Sequence, residues 1–254
     1  MSLITNEIHI LDGFNKTIVV AAADRRISKL DGSHGGNHPK IFQLPYYDGT
    51  VSYFGLAEVA FPNGRNLRFW EFLPAFVNKQ TGATTIREFA FQLRAELNSS
   101  IPDSVLRTTP SGFHICGYNR DGIPEFWFLT NIGGMDQFNY INLQPQYTEP
   151  SPDFLGRDAR AGGWDGLNRQ SMQNGVCFYR NGDMRAHVSA WEKLDQMLVE
   201  MSSFRDFKKL ATPADLERWV KFKMEFIARF YKEFAQYQII GGDIDVFCAS
   251  RNLS

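Results

Sequence analysis

The chain is 254 residues long and 43% hydrophobic, with 27 basic residues against 28 acidic ones and a formal charge of −1. That length and apolar content suffice for one large core, and the near-neutral balance supplies no field to draw the chain to nucleic acid or to an anionic membrane surface. Cys116, Cys177 and Cys248 lie in apolar strand-like runs without CxxC spacing, so reduced thiols and a cytoplasmic location are expected.

No apolar run approaches the length of a membrane span, and the opening MSLITNEIHIL lacks the pattern of a signal peptide, so neither is expected. In the first strand Ile4, Ile8 and Ile10 alternate with Thr5, Glu7 and His9. It turns at DGFN into a second, Thr17 to Ala23, whose β-branched and small residues predict burial on both faces. That buried strand ends in charge: Asp24, Arg25 and Arg26. Lys40 stands sixteen residues beyond Asp24, just before the run Ile41 to Leu44. A carboxylate closing one buried strand and an amine opening the next can pair, which lowers the carboxyl pKa and holds an ammonium inside a site.

Ile41 to Leu44 and Val51 to Leu56 flank the turn PYYDG and predict a second hairpin. Two helices follow. Asn66 to Lys79 carries Leu67, Trp70, Leu73 and Val77 on one face, with Pro74 inside. The capping pair Thr85 and Glu88 opens a helix lined by Ile86, Phe89, Leu93 and Leu97. Gly112 to Tyr118 and Glu125 to Thr130, joined by NRDG, predict a third hairpin. Residues 131 to 172 are irregular and read as surface loop with a short helix. Beyond them come a strand at Val176 to Arg180 and a helix at Ala190 to Met201. Thr212-Pro213 then caps a long helix reaching about Phe234, with Leu216, Trp219, Phe226, Phe230 and Phe234 expected inward. Ile239 to Ser250 is the last strand. Hairpins without a βαβ rhythm predict two stacked antiparallel sheets with helices outside, and nothing divides the chain, so residues 1–254 are read as one domain. The 22 phenylalanines recur at helix and strand spacing, which suggests core and subunit contacts.

Several residues invite other chemistry. His34 and His38 lie four apart in a Gly-rich loop without helical register or nearby carboxylates, so no metal is expected there. Lys40 follows Pro39 rather than glycine, which excludes a phosphate loop. His114, mid-strand among apolar residues, reads as a core histidine. The loop Gly156 to Gly166 reads as a salt-bridged surface loop in preference to a pocket lining. No cofactor is expected.

Five stretches, in order, resemble the proteasome-type N-terminal-nucleophile hydrolases: IVVAAADRRIS, HPKIFQL, YFGLAEVAFPNG, FHICGYNRDGIPEFWFLTN and IIGGDIDVFCA. The resemblance implies a four-layer αββα sandwich and peptide hydrolysis by a processed N-terminal residue whose α-amine is the general base. It implies that Asp24 and Lys40 support the nucleophile, that the Gly55 amide forms the oxyanion hole, and that Ser28 hydrogen-bonds an extended peptide or unfolded-protein substrate in β fashion. A homo-oligomeric ring follows from it too. Strand parity selects Thr5 as nucleophile, which requires removal of Met1 to Ile4; Ser2, exposed by loss of Met1, is the rival of opposite parity. The family's Asp and Ser before the last-strand Gly-Gly correspond here to Tyr237 and Ile240. The alternative reading is a catalytically inactive structural or interaction subunit of the same fold, like proteasome α subunits.

Overall fold

The computed structural model describes residues 2–11, 15–29, 33–80, 83, 85–136, 139–151 and 175–252. The strands, in chain order, are β1 (Leu3–Leu11), β2 (Lys16–Asp24), β3 (Arg26–Ser28), β4 (His34–Asn37), β5 (Ile41–Leu44), β6 (Gly49–Gly55), β7 (Glu58–Ala60), β8 (Asn66–Arg68), β9 (Ser111–Tyr118), β10 (Pro124–Thr130), β11 (Ile132–Asp136), β12 (Asn139–Leu143), β13 (Gly175–Gly182) and β14 (Ile244–Asn252). The helices are α1 (Phe69–Lys79), α2 (Ile86–Ser100), α3 (Asp103–Leu106), α4 (Met184–Ala186), which runs through a π-helical turn at His187–Trp191 into α5 (Glu192–Met201), and α6 (Pro213–Phe234). The fold is mixed α+β with antiparallel sheets. One four-stranded sheet has the order β13-β1-β2-β14 and the other β10-β9-β6-β5; β3 with β4, β7 with β8 and β11 with β12 form separate pairs.

Alternation explains which side each strand presents. In β1 and β2, Ile8 and Val19 meet Cys116, Tyr118 and Phe126 of the second sheet, joined by Cys177 and Tyr179 of β13. Phe126 stacks on Tyr179 with ring centroids 3.8 Å apart. The opposite parity, Leu3, Ile18, Val20 and Ala22, packs on Leu216, Val220, Met224 and Ile227 of α6. The second sheet turns Val51, Tyr53, Phe113 and Ile115 toward Phe69 and Leu73 of α1 and Phe89 and Leu93 of α2. Local signals set the helix starts: the Thr85 hydroxyl accepts the Glu88 amide at 3.1 Å, and Thr212, followed by Pro213, accepts that of Asp215 at 3.2 Å.

Some expectations are corrected. The first helix starts at Phe69, because Asn66–Arg68 pairs as a strand with Glu58–Ala60. The last strand starts at Ile244, because Gly241 and Gly242 take φ of +152° and +76° and break the extended chain. Within the stretch read as irregular, Ile132–Asp136 and Asn139–Leu143 form a hairpin. On α6 the buried face is Leu216, Val220, Lys223, Met224, Ile227 and Ala228, whereas Phe226, Phe230 and Phe234 are exposed. Both faces are apolar, so periodicity could not choose between them; the aliphatic side nests on the small residues of β2. The turn residues Asp12 to Phe14, the loop Gly156 to Gly166 and the remainder, beyond residue 151, of the stretch 131 to 172 read as surface loop with a short helix lie outside the described residues.

Polar groups also cross the core. Between the sheets, the His114 Nδ1 lies 2.9 Å from the Asn6 Oδ1 and its Nε2 accepts the Asn181 side-chain amide at 2.9 Å. His187 donates Nε2–H to the Asn181 carbonyl at 2.9 Å. Toward α6, Glu7 accepts a bond from the Lys223 ammonium at 2.8 Å, and Lys223 also reaches Asp195 at 2.7 Å. Burial alone would raise the Glu7 pKa, yet Lys223 and His9 hold it well below the usual carboxylate range.

Burial pushes the His114 pKa down to about 3, with His187 a smaller cause, and pushes that of His187 down to about 4. Both imidazoles are thus neutral in the fold while an unfolded chain protonates them below about 6.5, so their contribution is complete above that pH and is lost on acidification. Stability is expected to fall between pH 6.5 and 4, by up to about 1.4 kcal/mol per pH unit for each histidine. Urea denaturation across this range, with His114→Gln showing a shallower dependence, checks it; an equal slope in that variant contradicts the assignment.

Candidate functional site

Asp24 closes β2 and Lys40 precedes β5, so the two side chains come from different sheets and meet where the sheets adjoin. Both are fully buried, and the Lys40 Nζ donates to the Asp24 Oδ1 at 2.8 Å and to the Arg26 carbonyl at 2.6 Å. The carboxylate accepts two backbone amides as well, Leu3 N–H on Oδ1 at 2.8 Å and Gly241 N–H on Oδ2 at 3.1 Å. A buried carboxylate so supplied with donors has its desolvation offset by hydrogen bonds. For the ammonium the balance goes the other way: burial pulls the Lys40 pKa below its ordinary value although Asp24 opposes the shift. The Tyr53 hydroxyl is driven up, by burial first and by the Asp24 charge second.

The opening strand lies over this pair. Ile4 stands opposite Ala23, and the preceding residue, Leu3, is the one whose amide binds Asp24. Thr5 is one step further along, opposite Ala22, fully buried, with its hydroxyl unpartnered among the described residues. It shares parity with Leu3 and Glu7, whose side chains contact α6. Ser2 has the other parity, that of Ile4 and Asn6, which face the second sheet. It is 4% exposed, and its carbonyl accepts the Asp183 amide at 2.9 Å.

Ser28 and Gly55 line one cavity of about 1510 Å³. Gly55 ends β6 at φ +79°, and a Cβ there would lie 2.0 Å from the Pro110 carbonyl, so no other residue fits. The Ser28 hydroxyl donates to the Ile239 carbonyl at 3.2 Å. Tyr237 lines the same cavity, whereas Ile240 is buried in the core against α6.

The structure thus brings Asp24 and Lys40 together beneath the first strand, sets Ser28 and Gly55 around a shared cavity, and puts Thr5 on the α6 side of its strand. Sequence reasoning missed the Gly241 amide and the Arg26 carbonyl as partners of the pair. Gly-Gly was the available signal for the first; a backbone carbonyl leaves none. His34 lies beside Asn37 and His38 stacks on Trp70 with centroids 4.0 Å apart. Among the described residues no group of three or more His, Cys, Asp or Glu could hold a metal ion, and no helix is long and apolar enough to cross a membrane.

Lys40→Ala leaves a buried carboxylate short of its counter-charge, so a loss of about 3–5 kcal/mol in unfolding free energy is expected. Chemical denaturation checks this, and a loss below about 1 kcal/mol shows that solvent reaches Asp24.

No family model matches the chain, and no curated protein matches it. Among solved structures it is similar to a Gly-1 mutant of Anbu from Hyphomicrobium sp. strain MC1, at 10% identity over 100% of this chain and 87% of that one, with a TM-score of 0.46. It is similar also to Anbu, described as an ancestral beta-subunit, from Yersinia bercovieri, at 10% identity over 99% of this chain and 86% of that one, with a TM-score of 0.45.

Proposed function

We propose that the chain is a proteasome-like N-terminal-nucleophile hydrolase of peptide bonds, with Ser2 as the nucleophile once Met1 is removed. The observation that carries this reading is the buried Asp24–Lys40 pair bonded to the backbone of the opening strand through Leu3. The helix, sheet, sheet, helix succession, with α6 outside one sheet and α1 and α2 outside the other, is read as the four-layer αββα sandwich.

The register favours Ser2 over Thr5. Ser2 precedes the residue bonded to Asp24 and has the parity that faces the sheet from which Lys40 comes, while Thr5 turns toward α6. In this reading the Ser2 Oγ attacks the peptide carbonyl and its proton passes to the free α-amine, which titrates near neutrality and can act as base. The Lys40 ammonium, held by Asp24, stabilises the developing alkoxide, and the Gly55 amide donates to the oxyanion. The amine then returns the proton to the leaving nitrogen, and water hydrolyses the ester. Ser28 binds the extended substrate through its backbone. The reading also carries the expectation of a homo-oligomeric ring.

A second reading, the catalytically inactive structural subunit, is favoured by one feature: Ile240 is aliphatic and buried where the family has a polar group to hold the terminal amine.

Intact-mass analysis and a fluorogenic peptide assay separate the two. Expected is a chain beginning at Ser2 whose turnover is abolished by Ser2→Ala, drops by about 10²-fold or more in Lys40→Met, and persists in Thr5→Val. The rate is expected to rise with pH between about 7 and 8 as the amine loses its proton. A chain that retains Met1 and cleaves no peptide supports the inert subunit. Turnover that survives Ser2→Ala removes Ser2 from the reaction.

A further inference from the structure

Three phenylalanines on α6 lie outside the buried core of the described residues. Phe226, Phe230 and Phe234 recur every fourth residue and are 46%, 52% and 75% exposed, while the helix already buries an aliphatic stripe against β2. A run of exposed aromatics on a helix whose core contacts are complete marks a binding surface. Here that surface is concave. The three rings form one wall of the cavity that holds Ser28 and Gly55, with Leu56, Val59 and Trp70 also in its lining.

The charges around this cavity are unequal. Among the described residues its lining carries Lys29, Arg185 and Lys193 against the one carboxylate of Glu58. Glu58 is bound by Arg68 at 3.0 Å, and Arg185 by Asp183 at 2.7 Å. Lys29 and Lys193 are exposed and make no ion pair with any described residue. The cavity therefore offers an aromatic wall together with two lysines that no described carboxylate pairs. Its occupant has to bring large apolar groups and negative charge.

We propose that the cavity binds an extended peptide segment bearing bulky aromatic side chains next to acidic ones, the aromatics seated against Phe226, Phe230 and Phe234 and the carboxylates facing Lys29 and Lys193. This rests on the reading of Ser28 and Gly55 as the substrate-binding edge and names the substrate class of that site. Aromatic contacts supply the affinity, because they dominate the energetics of well-packed interfaces, and the lysines select by charge. Most binding clefts are built this way, as an apolar wall with a few placed polar groups.

The test is fluorescence anisotropy with a labelled decapeptide of alternating Phe and Asp, which reads binding whether or not cleavage occurs. Expected is saturable binding to the full chain, lost when Ser replaces Phe in the peptide and weakened when Lys replaces Asp. The doubly substituted Phe226→Gln/Phe230→Gln protein, altered only at exposed positions, is expected to bind about tenfold more weakly or worse. Lys193→Glu is expected to weaken binding and to flatten its dependence on salt. Equal affinity of the double variant and the parent overturns the proposal. So does a double variant whose sedimentation shows a smaller assembly than the parent's, because the stripe is then a contact between copies of this chain. Binding as expected without any turnover sinks the hydrolase and leaves the site; turnover with an unchanged KM in the double variant sinks the site and leaves the hydrolase.

Discussion

The Asp24–Lys40 ion pair is the constraint on which the site depends. Removing a carboxylate and an ammonium from water costs several kcal/mol per ion, and mutual attraction repays this only where further hydrogen bonds complete the coordination. Here the completing groups come from separate parts of the chain: Leu3 from the opening strand, Arg26 just after β2, and Gly241 from the loop before β14. Each of these segments must take its observed path for the pair to be tolerable. The pair therefore holds the opening strand, the start of β3 and the last loop in fixed relation to the second sheet.

The same strand is tied down on its other side. Glu7, two pleats along from Leu3, reaches Lys223 on α6, and Lys223 is shared with Asp195 on α5 while rings of Trp191 and Trp219 lie within 4.7 and 5.5 Å of its ammonium. On the sheet-facing side, Asn6 meets His114. A slip of one residue in the pairing of β1 would turn Glu7 into the space between the sheets and Ile8 onto the charges of α5 and α6. Register is thus specified by polar groups on both faces as well as by apolar ones. This keeps the start of β1 over the Asp24–Lys40 pair.

α6 combines two jobs that a single apolar stripe could not. Its aliphatic face meets the alanines and valines of β2, where short side chains allow close approach, and its aromatic face borders the cavity. Lys223, fully buried, sits within the aliphatic face because Glu7 and Asp195 neutralise it. Core packing and the cavity wall are therefore carried by adjoining faces of one helix, and Ile227 belongs to both.

Much of this was legible beforehand. The alternation in β1, the β-branched run of β2, the capping pair at Thr85 and the Thr-Pro start of α6 are local signals, and each acts through a few neighbouring residues. The spacing of Asp24 and Lys40 at two buried strand ends was enough to suggest that they meet. What could not be read is what depends on contacts between distant segments. The choice of Phe226, Phe230 and Phe234 for the cavity side required knowing that β2 offers a surface of small residues to the aliphatic face. The opposition of Leu3 rather than Thr5 to Asp24 was settled by the pairing register, which strand parity alone leaves open by two. Backbone donors and acceptors such as Gly241 and Arg26 carry no signature in residue type. Sequence by itself determined most of the segments that become strand or helix and that Asp24 and Lys40 close buried strand ends, because those follow from local pattern; tertiary structure alone decided that the Leu3 amide meets Asp24 and which face of α6 borders the cavity, because those are set by the packing of one layer on the next.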